Sequence, residues 1–444
     1  MFIFIEVEIV GRELLGKILL SRALISDHTK IIISDRNKIK KLILNNKIKN
    51  SILIIKDINP REDLLKYYKL LKSKGFLIIS QDEEGGFLSN DYSLFSTIRH
   101  KNGETIKIID YFLCWGKRDF NFLRKKFKNL KHKIINFGSP KLDAMHKNFQ
   151  INKEVLKKNK ITKKFILLSY NFSPFYYKTF DTRSFEFSEL LKNKFKNYYK
   201  ELFYSESENF KLTHDFTELA DFLDKNQSEY QVVIRPHPNF DIEAFKHLMK
   251  YINKNIIVCN RGDLLEYTKN CSVLIHNSCS SSVDAAIIGK QLICYKSRDK
   301  KYFTSSYLNS LGIKCENHFE VLKVIKSKKI KINTTLLHKR LNLDNSLIKL
   351  KKIVNNSKII NDNKNNKINF DKSNINFKSL IKKIIYLFVD RDTKNISTEM
   401  KYRDFDYKNI RRIVNQVNNY KFKGIDQKIK FKLISNNFLK IEKS

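Results

Sequence analysis

Nothing in this 444-residue sequence approaches the length of a membrane-spanning helix, which takes about 20 consecutive apolar residues. Other absences are as specific. There is no glycine-rich dinucleotide fingerprint and no Walker P-loop, which argues against hydride transfer and against nucleotide hydrolysis by those routes. HExxH, a His/Cys spacing suited to metal and a GxSxG elbow are all missing, so neither a metal nor a resident cofactor is expected. Six cysteines, at 114, 259, 271, 279, 294 and 315, show no CxxC spacing and mostly fall in apolar, strand-like runs; reduced core thiols are expected. The apolar start is broken by Glu6 and Glu8 and carries no basic leader or small-residue cleavage site, so the expectation is a soluble, cytoplasmic chain. No repeat recurs at solenoid spacing.

What is present is enough apolar matter for real cores: 42% hydrophobic residues, 12% of the chain aromatic. The formal charge of +40 is spread over almost every predicted helix, together with frequent Ile and Asn, the usage an AT-rich genome produces. A nucleic-acid binder concentrates its cations in a stripe or arm, so no specific nucleic-acid partner is expected. A basic surface does favour phosphorylated substrates and the anionic face of a membrane.

Short apolar runs alternate with amphipathic stretches, the pattern of a parallel sheet covered on both faces. In the first part, strands are predicted at Phe2–Val10, Lys30–Ile33, Ser51–Ile55, Phe76–Ser80, Tyr111–Trp115 and Ile134–Phe137, with helices between them that include Glu13–Ile25 and a basic one around Lys117–Phe127. A polar connector, Asn148–Lys164, leads to a second series: strands Phe165–Ser169, Gln231–Ile234, Asn255–Val258, Ser272–Ile275 and Gln291–Tyr295. Asn171–Phe210 reads as an aromatic insertion near the mouth of the site. The predicted architecture is α/β: a Rossmann-like domain at 1–150, a second at 151–325, the two facing a cleft, and a Lys/Asn/Ile-rich basic C-terminal extension at 326–444, partly helical and partly disordered.

Candidate chemistry gathers at predicted strand ends, where ligands bind such sheets. In Ser272–Tyr295 a strand feeds His276, Asn277, Ser278, Ser280, Ser281 and Ser282 into a helix stopped by Gly289; a helix start with spare N–H groups suits an anion. Serines that merely cap the helix, and a core histidine at His276, are the alternatives. Arg235-Pro236-His237-Pro238 follows another strand: Arg235 offers a planar fork for phosphate, His237 a titratable ring. Asp82, Glu83 and Glu84 can supply a general base or form a solvated turn. Glu8, Arg12 and Glu13 at the first strand–helix junction face the expected cleft or form an ion pair, and Gly138-Ser139-Pro140 fits a tight turn into a helix.

Arg235–Pro238 followed by the loop and helix of His276–Lys290 resembles the donor domain of GT-B glycosyltransferases, notably CDP-glycerol glycerophosphotransferases and capsule polysaccharide transferases. The first half resembles bacterial surface carbohydrate biosynthesis proteins, through Glu8-Ile9-Val10-Gly11-Arg12-Glu13, Asp82-Glu83-Glu84-Gly85, Cys114-Trp115-Gly116 and Phe137-Gly138-Ser139-Pro140-Lys141-Leu142-Asp143. That family usually has Asn in place of Ser139. The resemblance implies a transferase that takes a nucleotide-activated sugar or polyol as co-substrate and extends a surface polysaccharide or lipopolysaccharide on a glycan or lipid-linked acceptor. It implies that Arg235, His237, His276, Asn277 and the serines at 278 and 280–282 hold the donor's phosphates, with Glu8 or one of Asp82, Glu83 and Glu84 acting on the acceptor hydroxyl. Arg12, Glu13, Gly138 and Ser139 would line the cleft. Two other functions compete: a UDP-sugar 2-epimerase-like enzyme, which needs no acceptor, and a basic module that binds nucleic acid or a membrane surface.

Overall fold

The computed structural model describes residues 1–58, 61–83, 103–145, 149, 151, 153–170, 198–236, 242–296, 306–344, 346–357, 368–370, 402, 404–422, 424–434 and 438–444. These form two compact units. The first takes Met1–Ile151 and the described residues from Thr334 onward; the second takes the described residues of Asn152–Asn333.

The first unit is built on β1 (Phe2–Glu6), β2 (Lys30–Ser34), β3 (Ile52–Ile55), β4 (Leu77–Gln81), β5 (Tyr111–Cys114) and β6 (Ile134–Asn136), all parallel, in the order β2-β1-β3-β4-β5-β6. Continuous runs such as Phe2-Ile3-Phe4-Ile5 and Ile52-Leu53-Ile54-Ile55 are buried at every position, as a sheet with both faces covered requires. The second unit has β7 (Phe165–Ser169), β8 (Gln231–Arg235), β9 (Ile257–Val258), β10 (Val273–His276), β11 (Gln291–Tyr295) and β12 (Ile313–Cys315), in the order β12-β11-β10-β7-β8-β9, again all parallel. One face of this sheet packs Ile166, Leu168, Ile234, Ile275 and Ile293 against Phe216, Leu219 and Leu223 of the long helix Tyr198–Asn226. The predicted strands match these within a residue at each end, except that β12 was not predicted, β9 starts two residues later than expected and β1 ends four residues earlier. β1 ends at Glu6, and its helix starts at Val10, three residues before the predicted start.

The last part of the chain, set apart in the sequence as a basic extension, joins the first unit. Helices Ser346–Asn355 and Tyr407–Asn419 pack on the helix Val10–Leu24, whose side chains are buried nearly all round, so its sequence lacks a polar face. The final residues, read as helical, instead form a hairpin of β13 (Ile429–Ile434) and β14 (Phe438–Lys443). β14 pairs antiparallel with β2, giving a sheet of eight strands. The signal was the alternation of Ile429, Phe431 and Leu433 with Lys430 and Lys432, a period of two. The short apolar stretch Leu380–Val389, which by sequence alone suits a helix, lies outside the described residues, as do 171–197 of the expected insertion.

Two of the motifs quoted above serve this return of the chain. The Asn342 N–H donates to the Trp115 carbonyl at 2.7 Å and its Nδ2 to the Asn136 carbonyl at 3.2 Å. Asp143 caps the helix Ser346–Asn355, accepting from Ser346 Oγ at 2.7 Å and from the N–H groups of Ser346 and Leu347 at 3.0 and 3.1 Å. Burial raises the Asp143 carboxyl to about 6 against these bonds. A Cβ on Gly116 would stand 1.6 Å from the Arg340 carbonyl oxygen. Gly138, at φ +105°, would bring one to 2.6 Å from the Asn342 oxygen. Gly116→Ala is therefore expected to expel residues 340–342 and cost about 3 kcal/mol or more, beyond ordinary overpacking. Urea unfolding and the rate of proteolytic cutting near Asn342 measure it; unchanged protection would show that the segment is not held there.

Candidate functional site

At the carboxyl end of the second sheet, strand register places Arg235 beside Ser169, Ser169 beside His276, and His276 beside Cys294. Paired residues of parallel strands share a face, and the intervening Leu168, Ile234, Ile275 and Ile293 belong to the core under the long helix. The four polar residues thus form a row on the opposite face. Three have partners. Arg235 donates to the carbonyls of Arg261 at 2.9 Å and Gly262 at 2.6 Å, and its guanidinium lies 4.3 Å from the Tyr267 ring centroid. Ser169 Oγ accepts from Ser281 Oγ at 3.0 Å and lies 3.3 Å from Cys279 Sγ. Cys294 Sγ donates to Asn309 Oδ1 at 3.2 Å.

His276 is the exception. Its side chain is sealed from solvent, and neither ring nitrogen has a hydrogen-bond partner. Burial lowers its pKa to about 3, so the ring is neutral at any physiological pH and offers one N–H donor and one acceptor. A buried polar group left this way costs about 1–3 kcal/mol, and such exceptions call for a reason.

His276 is followed by a loop fixed from both sides. Asn277 Nδ2 donates to the carbonyls of Tyr295 at 2.9 Å and Lys296 at 2.6 Å. Ser278 holds a left-handed conformation, φ +48°, uncommon for a residue other than glycine. Asn309 holds it there: its Oδ1 accepts from the Ser278 N–H at 2.7 Å and its Nδ2 donates to Ser278 Oγ at 3.0 Å. The helix Ser281–Ile288 then begins at Ser280, whose side chain makes no cap bond. Ser281 and Ser282 are buried, the first bonded to Ser169 and the second to the Cys279 carbonyl at 2.7 Å. Among the described residues, the N–H groups of Cys279, Ser280 and Ser281 donate to no backbone carbonyl. Successive N–H groups without backbone acceptors at a helix start are the kind of donors that anion sites use.

Of the candidates named from the sequence, Asn277 and the serines at 278, 280, 281 and 282 do share one loop and helix start. Ser281 and Ser282 spend their hydroxyls inward, so Ser278 and Ser280, both half-buried, are the accessible ones. Arg235 is 6% exposed and its fork is committed to two backbone carbonyls. His237 lies outside the described residues. Asn309 was missed, because a lone Asn some thirty residues after the loop carries no local signal.

In the first unit, carboxylates gather at the ends of β1 and β4, as expected. Glu8 pairs with Lys56, and its N–H donates to Glu13 Oε2 at 2.8 Å. Arg12 donates to Glu13 Oε1 at 3.0 Å. Glu83 pairs with the buried Lys17 and accepts from Gln81 Nε2 at 3.1 Å. The Asp82 carbonyl accepts from the Trp115 indole; Glu84 lies outside the described residues. Gly138 and Ser139 hold the turn before Pro140, where Ser139 Oγ accepts from the Lys141 N–H at 3.3 Å, and Gly138 meets the returning chain as described above.

The Glu13 side chain is fully buried. Burial raises its carboxyl from 4.5 to about 7, Arg12 pulling it back, Glu83 pushing it up and Lys17 opposing. A raised carboxyl favours the folded state below the unfolded pKa, near 4.5, and that advantage disappears as pH climbs through about 7. The stability of the wild type relative to Glu13→Gln should therefore fall between pH 4.5 and 7, by up to ~1.4 kcal/mol per pH unit. Urea titrations at pH 5 and 7.5 read the difference; a gap independent of pH would remove Glu13 as its source.

One group of possible metal ligands exists among the described residues: His214, Asp215 and Glu218, whose ligand atoms lie within 4.8 Å of one another. Lys296 Nζ already stands 2.6 Å from Asp215. No helix among the described residues is long and apolar enough to cross a membrane.

No protein-family model matches the chain, and no curated protein matches it. Solved structures do. The wall teichoic acid polymerase TagF, at 12% identity, is matched over 80% of this chain and 88% of its own, with a TM-score of 0.50. The same polymerase soaked with CDPG matches at 13% identity, over 80% and 87%, with a TM-score of 0.50. The fold is GT-B-like. The UDP-GlcNAc 2-epimerase of Methanocaldococcus jannaschii, in complex with UDP-GlcNAc and UDP, is matched over 80% of this chain and 100% of its own at 15% identity and a TM-score of 0.49.

Proposed function

We propose that this protein is a nucleotide-dependent transferase of surface polysaccharide biosynthesis, a glycosyltransferase or glycerophosphotransferase with its donor site in the second unit. The observation that supports this most directly is His276: a sealed, neutral imidazole without a partner, three residues before an anion seat whose loop is held rigid by Asn277 and Asn309. A donor phosphate at the N–H groups of Cys279, Ser280 and Ser281, joined by the hydroxyls of Ser278 and Ser280, supplies the acceptor the ring lacks. Arg235 supports the site by anchoring residues 261–262 and Tyr267. The GT-B-like fold shared with a polymerase that was soaked with CDPG agrees with this reading.

In the transfer, an acceptor hydroxyl oxygen forms a bond to the sugar carbon or the polyol phosphorus, and the bond from that atom to the nucleotide's phosphate oxygen breaks. The fixed N–H groups stabilise charge that develops on the leaving phosphate. The acceptor's proton passes to a carboxylate, and Glu8 is the most accessible of the described candidate carboxylates, Asp82, Glu83 and Glu13 being buried. A glycan or lipid-linked acceptor, and a role in capsule or lipopolysaccharide assembly at the cytoplasmic face of the membrane, complete the proposal.

The test is a thermal-shift screen against CMP, CDP, UDP, GDP and dTDP and their sugar or polyol conjugates, since a ligand that binds only the folded state raises apparent stability. Selective stabilisation by one nucleotide is the expected result, and none at millimolar concentrations would refute the reading. Incubating the stabilising conjugate without acceptor separates the enzyme classes: an epimer in the product would replace transfer with epimerisation.

A further inference from the structure

Although the charge of the whole chain is diffuse, one surface of the first unit concentrates it. Residues 117–133 carry eight Lys and Arg among seventeen residues, against 86 in 444 for the chain. Their one acid, Asp119, is buried. The segment is ordered: a helix Lys117–Lys126 followed by a 3₁₀ turn Lys128–Lys133. Lys117, Lys125, Lys126, Lys128 and Lys131 are exposed and Arg118 and Arg124 half-buried.

Aromatic rings are set among these cations. Phe120, Phe122 and Phe127 are partly buried against the core, with Arg124 4.9 Å from the Phe120 centroid and Lys126 5.9 and 5.5 Å from those of Phe122 and Phe127. The helix Thr334–Arg340 packs beside this one and adds exposed His338 and Lys339 at its end. On the neighbouring turn, Glu104 is exposed, with Lys107 exposed beside it.

We propose that this surface docks on an anionic lipid bilayer. Clustered cations on a rigid amphipathic segment are what a sheet of phosphate headgroups attracts within a Debye length, and the interleaved rings suit the headgroup boundary. The surface deepens the membrane location of the proposed function, and because it contains no residue of the nucleotide site its test is independent of the donor assignment.

The test compares co-sedimentation of the full chain with phosphatidylcholine vesicles, with and without phosphatidylglycerol, in the absence of nucleotide. Lys125→Glu, Lys128→Glu and Lys131→Glu together should weaken binding to the anionic vesicles at least ~10-fold. Lys211→Glu, Lys250→Glu and Lys254→Glu, exposed lysines of the second unit outside any such cluster, change the net charge equally and should leave binding within about twofold, since attraction falls off within a Debye length. Equal losses in both variants, or no preference for anionic vesicles, would overturn the proposal. So would vesicle binding that survives the first set of changes while binding to duplex DNA is lost, which would make the surface a nucleic-acid site. Circular dichroism and nucleotide-induced stabilisation, unchanged in both variants, confirm that neither loss is unfolding.

Discussion

Replacing Arg22 by methionine should unfasten the C-terminal part of the first unit and cost on the order of 3–5 kcal/mol, since each buried carbonyl left unsatisfied costs about 1–3 kcal/mol. Arg22 lies on the helix Val10–Leu24 and is 4% exposed. Its guanidinium donates to the carbonyls of Gln427 at 2.7 Å, Tyr420 at 2.6 Å, Ile425 at 3.3 Å and Val417, and lies 5.8 Å from the Phe422 centroid. It thus gathers the end of helix Tyr407–Asn419 and the chain that leads into β13. Methionine fills much the same space and supplies no donor, so four carbonyls lose their partner at once. Lysine keeps a charge but not the fork, and an intermediate loss is expected. Urea unfolding gives the magnitude, and hydrogen exchange of residues 407–443 shows where it falls. A methionine variant within about 1 kcal/mol of wild type, an ordinary surface effect, would mean that the β14–β2 pairing holds this region unaided.

Arg22 also shows what the sequence could and could not disclose. The parallel sheets were legible because their strands are unbroken apolar runs, and a run such as Ile52–Ile55 has few other uses. The loop after β10 was legible because polar residues between a buried strand and a helix are a local pattern. Contacts made across the length of the chain were not. Arg22 reads as one more basic residue in a Lys-rich protein, and its acceptors lie some 400 positions away. Cys114-Trp115-Gly116 and Phe137–Asp143 suggested a site, yet in the structure their glycines and Asp143 receive residues 340–347. Arg235 was expected to face phosphate; its strand-end position was right, while its commitment to the 261–262 carbonyls depends on a neighbouring loop. The hairpin at 429–443 was missed because its lysines alternate with apolar residues in a region whose composition suggested an extension.

His276→Leu should produce two effects of opposite sign. A leucine of similar bulk on the same face removes two ring nitrogens that have no partner, and exchanging an unsatisfied buried polar group for an apolar one is expected to stabilise the protein by about 1–3 kcal/mol. If the ring completes a donor phosphate site, the same change should weaken nucleotide binding at least ~10-fold, the worth of one hydrogen bond to a charged group, and cut the nucleotide-induced stabilisation accordingly. Asn309→Ala provides the contrast. It removes the acceptor of the Ser278 N–H and the donor to Ser278 Oγ, so it should weaken binding by releasing the left-handed turn, and it should lower stability rather than raise it. Only the pairing of higher stability with lost binding marks a group kept for function at the expense of the fold. A leucine variant that is less stable and binds nucleotide as well as wild type would return His276 to the role of a core residue, and the seat at Cys279–Ser281 would lose its main support.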